Sequence, residues 1–544
     1  MNSVSSWRLL LFVVPLWLFF ISKVSAEGGV DFQKDIHEPL SANPIENDLL
    51  NEVNLSGRGF YDRGNEVELA RGKRDGDNLL YEFSPVANTI LQSETQYYSF
   101  NVNSTTGLGE YYQFLIFITG NICSQPSEAA LAQNNASLTA YFSFNSSMFD
   151  DFEIGTMAHF ENGYFQALQE VPMKSPGSSD ESILYIAVRA PENTNKSVEW
   201  SYQIGASQND LVFQWDDRSW ASLVDTDEDS ALIVTGNLSS YDPGTMNITT
   251  MNVTELSSYQ LYIYSYDYKD YFATYNRSWC AIRNGPSLLS SDHYETSYTT
   301  RSGGLQQQFY ITGLNTSTTY IAYLVSDFRG SAFGGAVYQP FEFTTMENNA
   351  CELIYDLDFC DKVAYSVPSS SNMKQDELKQ AYDNRAEELY GNFSKALQQI
   401  PCDTISDAIF SPITSCKQCA ASYKNWLCAI TIPRCSTRNI TGYKNRPVND
   451  SRSEFINEEI VPPLDYYEVL PCVNVCHAIA RDCPAQFGFR CPTKISQISK
   501  SYYWDIEGEY ASCNYLGKTY VKSGALKLES TYLLLLPMIL FYLI

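Results

Sequence analysis

From Leu79 to about Ile204, short aromatic and β-branched runs alternate with turn residues. They are TQYYSFNV (Thr95–Val102), EYYQFLIFITG (Glu110–Gly120), ASLTAYFSF (Ala136–Phe144), SILYIAVRA (Ser182–Ala190) and SVEWSYQIG (Ser197–Gly205). Strands of this length and spacing predict a β-sandwich over residues 79–205. Phe114–Ile118 is too short to span a bilayer and reads as a buried strand. A second β-rich unit occupies 210–345. Beyond Thr345 the period changes: Leu378, Tyr382, Leu389, Phe393, Leu397 and Ile400 recur mainly at spacings of three, four and seven. That pattern predicts an amphipathic helix over Met373–Ile400, with Asn372 as N-cap and Pro401 marking its end. A further helix is expected to start near Pro471, because proline suits a first helical turn. Residues 27–78 are polar and without sustained period, which reads as a flexible leader. Lys73-Arg74 within it reads as a charged loop in preference to a processing site.

The second unit carries a local resemblance. GLNTSTTYIAYLV (Gly313–Val325), with Leu314 six residues before Tyr320, resembles the fibronectin type III strand pattern. QPFEFTT (Gln339–Thr345) resembles that fold's last strand.

The ends change the picture. Arg8, the apolar run Leu9–Ile21 and the small residues Val24-Ser25-Ala26 form a secretory signal over residues 1–26. Sequons N-x-[ST] stand at Asn54, Asn103, Asn135, Asn145, Asn195, Asn237, Asn247, Asn252, Asn276, Asn315, Asn392, Asn439 and Asn449. Their number predicts a glycoprotein whose sequon-bearing segments face solvent. Ser523-Gly524-Ala525, the spacer Leu526–Thr531 and the apolar Tyr532–Ile544 match a GPI-anchor signal over 523–544, with Ser523 as the attachment residue. A single spanning helix is the rival, disfavoured by the short tail and by Lys527 and Glu529. The net charge of -27 excludes nucleic acid as a partner, since phosphates would be repelled.

Twelve of the fourteen cysteines lie between Cys351 and Cys513. Cys416-x2-Cys419 alone suggests zinc or a redox dithiol. Zinc needs a second ligand pair of similar form, and a redox site needs a thioredoxin-like setting; neither is present. In a secreted chain structural disulfides prevail. At about 100° per residue, Cys472, Cys476 and Cys483 fall within about 40° of one another on a helix, so one face would be stapled to several neighbours. Cys123 and Cys280, the only cysteines before Cys351, are expected to pair.

Cys351-x8-Cys360, Cys419-x8-Cys428-x6-Cys435, Cys472-x3-Cys476-x6-Cys483 and the FGF at Phe487–Phe489, completed by Cys491 and Cys513, resemble a frizzled-type cysteine-rich domain over 351–513. Cys402 and Cys416 are additional to that pattern. The resemblance implies the pairs Cys351–Cys435, Cys360–Cys428, Cys419–Cys483, Cys472–Cys513 and Cys476–Cys491, which leaves Cys402–Cys416. The whole arrangement resembles the fungal stretch-activated calcium-channel component, the mating-pheromone-induced-death protein family. Its cysteine domain is also similar to that of the animal sodium-leak channel accessory subunit. What the resemblance implies is an extracellular accessory subunit at the plasma membrane, binding the pore-forming subunit of a four-repeat calcium channel. The expected fold class is therefore two mainly-β sandwich-like domains followed by a mainly-α, disulfide-rich, frizzled-like domain. Arg446–Leu470 is the expected docking segment. The alternative is a receptor-like surface glycoprotein that takes a secreted or lipid-modified ligand.

Catalysis finds no support. His37, His159, His293 and His477 sit in no metalloprotease frame, and no nucleophile elbow, P-loop or dinucleotide fingerprint occurs. No cofactor or metal is expected. Asp225-Thr226-Asp227-Glu228-Asp229 mimics the start of a calcium loop, but Ser230 and Gly236 stand where an EF-hand needs Gly and Glu. It reads as a solvated acidic turn.

Overall fold

A computed structural model describes residues 78–102, 115–126, 137–172, 182–192, 198–238, 259–289, 293–328, 334–401, 411, 413–506 and 511–517. Residues 1–77 and the expected anchor signal lie outside them, and Asn78, the last residue of the expected leader, opens a strand.

Two sheets build the first sandwich. One orders Asn78–Leu80, Thr95–Asn101, Ile183–Arg189, Thr139–Ser143 and Thr156–His159; the other orders Val86–Leu91, Glu199–Ser207, Leu115–Ser124 and Tyr164–Glu170. Alternation drives the packing: Tyr98 and Phe100 point inward while Tyr97 and Asn101 are exposed, and Leu184, Ile186 and Val188 continue the inner face. Opposite them stand Ile116, Ile118, Trp200, Tyr202 and Ile204.

The second sandwich pairs two more sheets. The first orders Phe213–Asp216, Gly335–Tyr338, Thr319–Asp327 and Tyr259–Ser265, with Phe341–Thr344 also on Thr319–Asp327. The second orders Ala221–Thr226, Ala231–Thr235, Gln306–Ile311 and Tyr294–Thr299. Thr319–Asp327 is buried on both faces, which is why it reads as a continuous apolar run. Tyr320, Ala322 and Leu324 face their own sandwich, whereas Ile321, Tyr323 and Val325 join the cluster of the first. One apolar cluster thus runs from Leu80 to Val337, across the 205–210 boundary. The short helices Lys269–Ala273 and Trp279–Arg283 add Phe272, Trp279 and Ile282 to it. Gly335 is required where the layers meet, since a Cβ there would collide with the Ser326 carbonyl and the Trp279 indole. The hydroxyl of buried Tyr320 accepts from the Asn315 N–H at 2.8 Å, a corner contact of the kind found in immunoglobulin-like sandwiches.

Beyond Thr345 come the hairpin Cys351–Ile354/Tyr365–Pro368, the helix Gln375–Leu397, the helix Cys416–Thr431 and a small sheet ordered Arg434–Ser436, Tyr466–Val469, Lys444–Arg446. The helices Val473–Asp482 and Ile495–Ser501 follow. Gln375–Leu397 buries Leu378, Tyr382, Phe393 and Leu397, the expected stripe. Its N-cap is Lys374, not Asn372: Glu377 Oε2 accepts from the Lys374 N–H at 3.2 Å. Asp383 turns inward from this helix and accepts from the N–H groups of Phe359 and Cys360, both at 2.8 Å.

Candidate interaction site

Disulfides hold the elements of this last region. The structure joins Cys351–Cys435, Cys360–Cys428, Cys419–Cys483, Cys472–Cys513 and Cys476–Cys491, and in the sandwiches Cys123–Cys280. Cys416 is also disulfide-bonded, and Cys402, the partner implied for it, lies outside the described residues. The Cys416–Thr431 helix explains the spacing. Cys419 and Cys428 are nine residues apart, about 180° around a helix, so they bond on opposite sides. One reaches Cys483 at the end of Val473–Asp482 and the other reaches Cys360. Sequence reasoning missed this helix, although its start is written as a capping box. Ser415 Oγ accepts from Gln418 N–H at 3.2 Å, and Gln418 Oε1 accepts from Ser415 N–H at 2.8 Å.

The acidic turn at 225–229 is solvated only at its end: Asp229 is exposed and Glu228 half-buried, whereas Asp225 and Asp227 turn inward. It locks the second sandwich to the cysteine-rich region. Asp225 Oδ2 accepts from the Ser366 N–H at 3.1 Å and lies 3.0 Å from Arg434 Nη2. Asp227, only 6% exposed, accepts from the Leu353 N–H at 3.0 Å. Its other oxygen accepts from the Ser230 N–H at 2.7 Å. Ser366 Oγ donates to the Thr226 carbonyl, and Met346 N–H to the Asp227 carbonyl, both at 2.7 Å. Leu232 and Val234 pack on Leu353 and Ala364 beneath. Burial pushes the Asp225 carboxyl up, opposed by the Arg434 charge.

The expected docking segment is partly structural. Glu468, 0% exposed, is held by Arg446 Nε at 2.7 Å and by Arg452 Nη2 at 2.5 Å. Around that buried triad, Val448 and Leu464 are each 40% exposed. On the joint's other flank lies a cleft of about 380 Å³. Leu223, Phe341, Glu342, Arg438, Ile440 and Tyr443 are among its lining, and two edge strands, Ala221–Thr226 and Phe341–Thr344, form its walls. Such a lining offers contact and hydrogen bonding; it places no nucleophile against a base.

Of the sequon asparagines, Asn145, Asn237, Asn315, Asn392, Asn439 and Asn449 are exposed, and Asn276 is half-buried beside the fully buried Ser278. Asn54, Asn103, Asn135, Asn195, Asn247 and Asn252 lie outside the described residues, as do Ser523 and His37. His159, His293 and His477 stand on separate elements. Among the described residues no group of three or more His, Cys, Asp or Glu side chains is arranged to hold a metal.

Residues 115–519 match the family model Mid1, described as "Stretch-activated Ca2+-permeable channel component". The chain is similar to the stretch-activated cation channel MID1 of Saccharomyces cerevisiae, 37% identical over 484 residues that cover 81% of this chain and 87% of that protein. It is similar to the stretch-activated cation channel yam8 of Schizosaccharomyces pombe, 36% identical over 343 residues that cover 61% and 67%. Among solved structures, the glycoside hydrolase domain of Endo-D from Streptococcus pneumoniae aligns at 11% identity over 48% of this chain and 33% of that one. Its TM-score is 0.19, too low to carry any argument. The extent of the family match and the identity across most of the chain agree: this chain belongs to the Mid1 family of stretch-activated Ca2+-permeable channel components.

Proposed function

We propose that this chain is the extracellular accessory subunit of a plasma-membrane calcium channel, binding a separate four-repeat pore-forming subunit and supporting its assembly or gating. Membership of a channel-component family supplies the channel. The observation that carries the accessory role is the filled interior of both sandwiches. Trp200, Tyr98, Tyr202, Phe100 and Phe142 in the first, and Phe309, Tyr320 and Leu324 in the second, occupy the space between facing sheets. Water and ions cannot cross a packed apolar layer of that kind. No helix among the described residues is long and apolar enough to cross a membrane.

In this reading residues 1–26 direct secretion, a lipid attached at Ser523 holds the chain at the outer face, and the sequons carry glycans. Residues 351–513 act as a frizzled-like module, and 446–470 meets the pore subunit through exposed side chains that include Val448 and Leu464. Affinity purification from membranes, with mass spectrometry of the eluate, tests it. A large polypeptide with four channel repeats should co-purify, and Val448→Asp with Leu464→Asp should reduce its recovery severalfold. Recovery of a secreted ligand in its place would instead support a receptor.

A further inference from the structure

The outer face of the first sandwich's Thr95–Asn101 sheet is apolar, where a solvent-facing sheet is normally polar. Pairing sets Tyr97, Ala187, Tyr141 and Met157 in one row across it, and Ser99, Tyr185 and Ser143 in the next. Two short turns lay further rings on these rows. Phe149, at the end of Ser146–Phe149, stands 4.7 Å from Tyr97 and 5.4 Å from Tyr185, centroid to centroid. Phe152, opening Phe152–Ile154, stands 4.8 Å from Tyr141. The patch stays open to solvent: Tyr97, Ile154 and Met157 are 38%, 47% and 52% exposed, and the other rings are half-buried. Asn145, of the sequon Asn145-Ser146-Ser147, stands at the root of this patch. Its backbone N–H donates to Ser143 Oγ at 3.1 Å, and Ser143 belongs to the same outer face. Its Oδ1 accepts from the Ser147 N–H at 3.0 Å and so caps the turn that carries Phe149. A glycan joins Nδ2 and leaves Oδ1 its bond, so the cap survives modification. Ser147 is exposed. By contrast Ser278, in the sequon of Asn276, is fully buried with its Oγ donating to the Ile122 carbonyl at 2.7 Å.

We propose that the N-linked glycan of Asn145 folds back over this aromatic face and covers it. The inference rests on the reading that the sequons carry glycans. Pyranose rings present C–H bonds on one face, which pack on aromatic rings, while their hydroxyls turn to water. Asn145 and Phe149 are one tight turn apart, about 8 Å along its axis, within reach of the first sugars. Charge favours a neutral occupant of this kind. Asp150, Asp151 and Glu153, all exposed, lie in the same two turns and would repel an anionic lipid surface. Arg189, the cation of the face, is paired with Glu192 at 2.5 Å and lies over the Phe152 ring. The covered patch is closed to protein partners, and the sugar hydroxyls give it a wet surface.

Hydroxyl-radical labelling of the full chain as secreted, read by mass spectrometry, tests the cover, and the same spectra give the occupancy of Asn145. Ser147→Ala removes the sequon yet keeps Asn145 and the Ser147 N–H that it caps. Labelling of Tyr97 and Tyr185 should rise severalfold in Ser147→Ala and stay low in Ser147→Thr, which keeps the sequon. Ser394→Ala removes the sequon of Asn392 on the helix Gln375–Leu397 and should leave both tyrosines unchanged. Tyr98, fully buried, should stay unlabelled in every variant, which shows that the sandwich is intact. An unoccupied Asn145 overturns the proposal together with the glycan reading at that position. With Asn145 occupied, equal labelling of the wild-type chain and Ser147→Ala overturns the cover alone. Protection of Tyr97 that is lost on dilution and not in Ser147→Ala assigns the face to a second copy and overturns it as well.

Discussion

The sandwiches and the cysteine-rich region solve the same problem differently. In residues 78–344 one large apolar cluster extends from Leu80 to Val337, with Trp200, Tyr98, Tyr202 and Tyr264 among its fully buried side chains, a second fills the second sandwich around Phe309 and Tyr320, and the two cysteines there form Cys123–Cys280. Residues 351–517 divide their apolar side chains among separate groups around Tyr382, Phe393 and Val473. Five disulfides between described cysteines join the elements that carry them, and Cys416 is disulfide-bonded besides. Stacked sheets close a continuous core and need few covalent ties. Helices that pack on small, separate groups, and strands of three or four residues, bury too little for that, so cross-links restrict the unfolded chain in its place.

Reduction should separate the two regions most strongly. The loops closed by Cys351–Cys435 and Cys360–Cys428 each contribute roughly 4 kcal/mol in the chain-entropy model. Under reductant, hydrogen exchange should rise throughout 351–517 while Tyr98, Ile186 and Trp200 stay protected. A common loss of protection in both regions would break the comparison. Next in size is Trp200→Ala, which empties the centre of the first sandwich. It should cost about 3–5 kcal/mol in denaturant titration without reductant, with the disulfides intact. Glu468→Gln sharpens the contrast within the cysteine-rich region, where it leaves Arg446 and Arg452 without their shared carboxylate. A cost of about 3 kcal/mol is expected, read from the same titration. A loss well below that would mean that the disulfides alone hold the small sheet.

What the sequence revealed follows the same division. Alternation and aromatic runs located strands such as Thr95–Asn101 and Ile183–Arg189 because one face of each is buried while the other is in large part half-buried or exposed. The Leu378–Leu397 stripe located its helix for the equivalent reason. The cysteine pairs within 351–513 were available only through resemblance, since spacing alone cannot choose among so many connectivities, whereas Cys123 and Cys280 could be matched as the only two cysteines before them. The helix Cys416–Thr431 escaped notice because cysteines interrupt its apolar face, although Ser415 and Gln418 mark its start. The acidic turn misled for a different reason. Asp225 and Asp227 are buried by Leu353, Ser366 and Arg434, residues more than a hundred positions away, and nothing local announces them. The shared middle layer is similarly non-local, because only the fold shows that Ile321, Tyr323 and Val325 face another sandwich.

The central claim is that calcium entry supported by this chain passes through another polypeptide. Conductance across lipid bilayers reconstituted with the purified chain tests it most directly. No calcium current should appear with this chain alone, and current should appear when the co-purified pore subunit is added. Reproducible calcium current with no other polypeptide detectable would contradict the account.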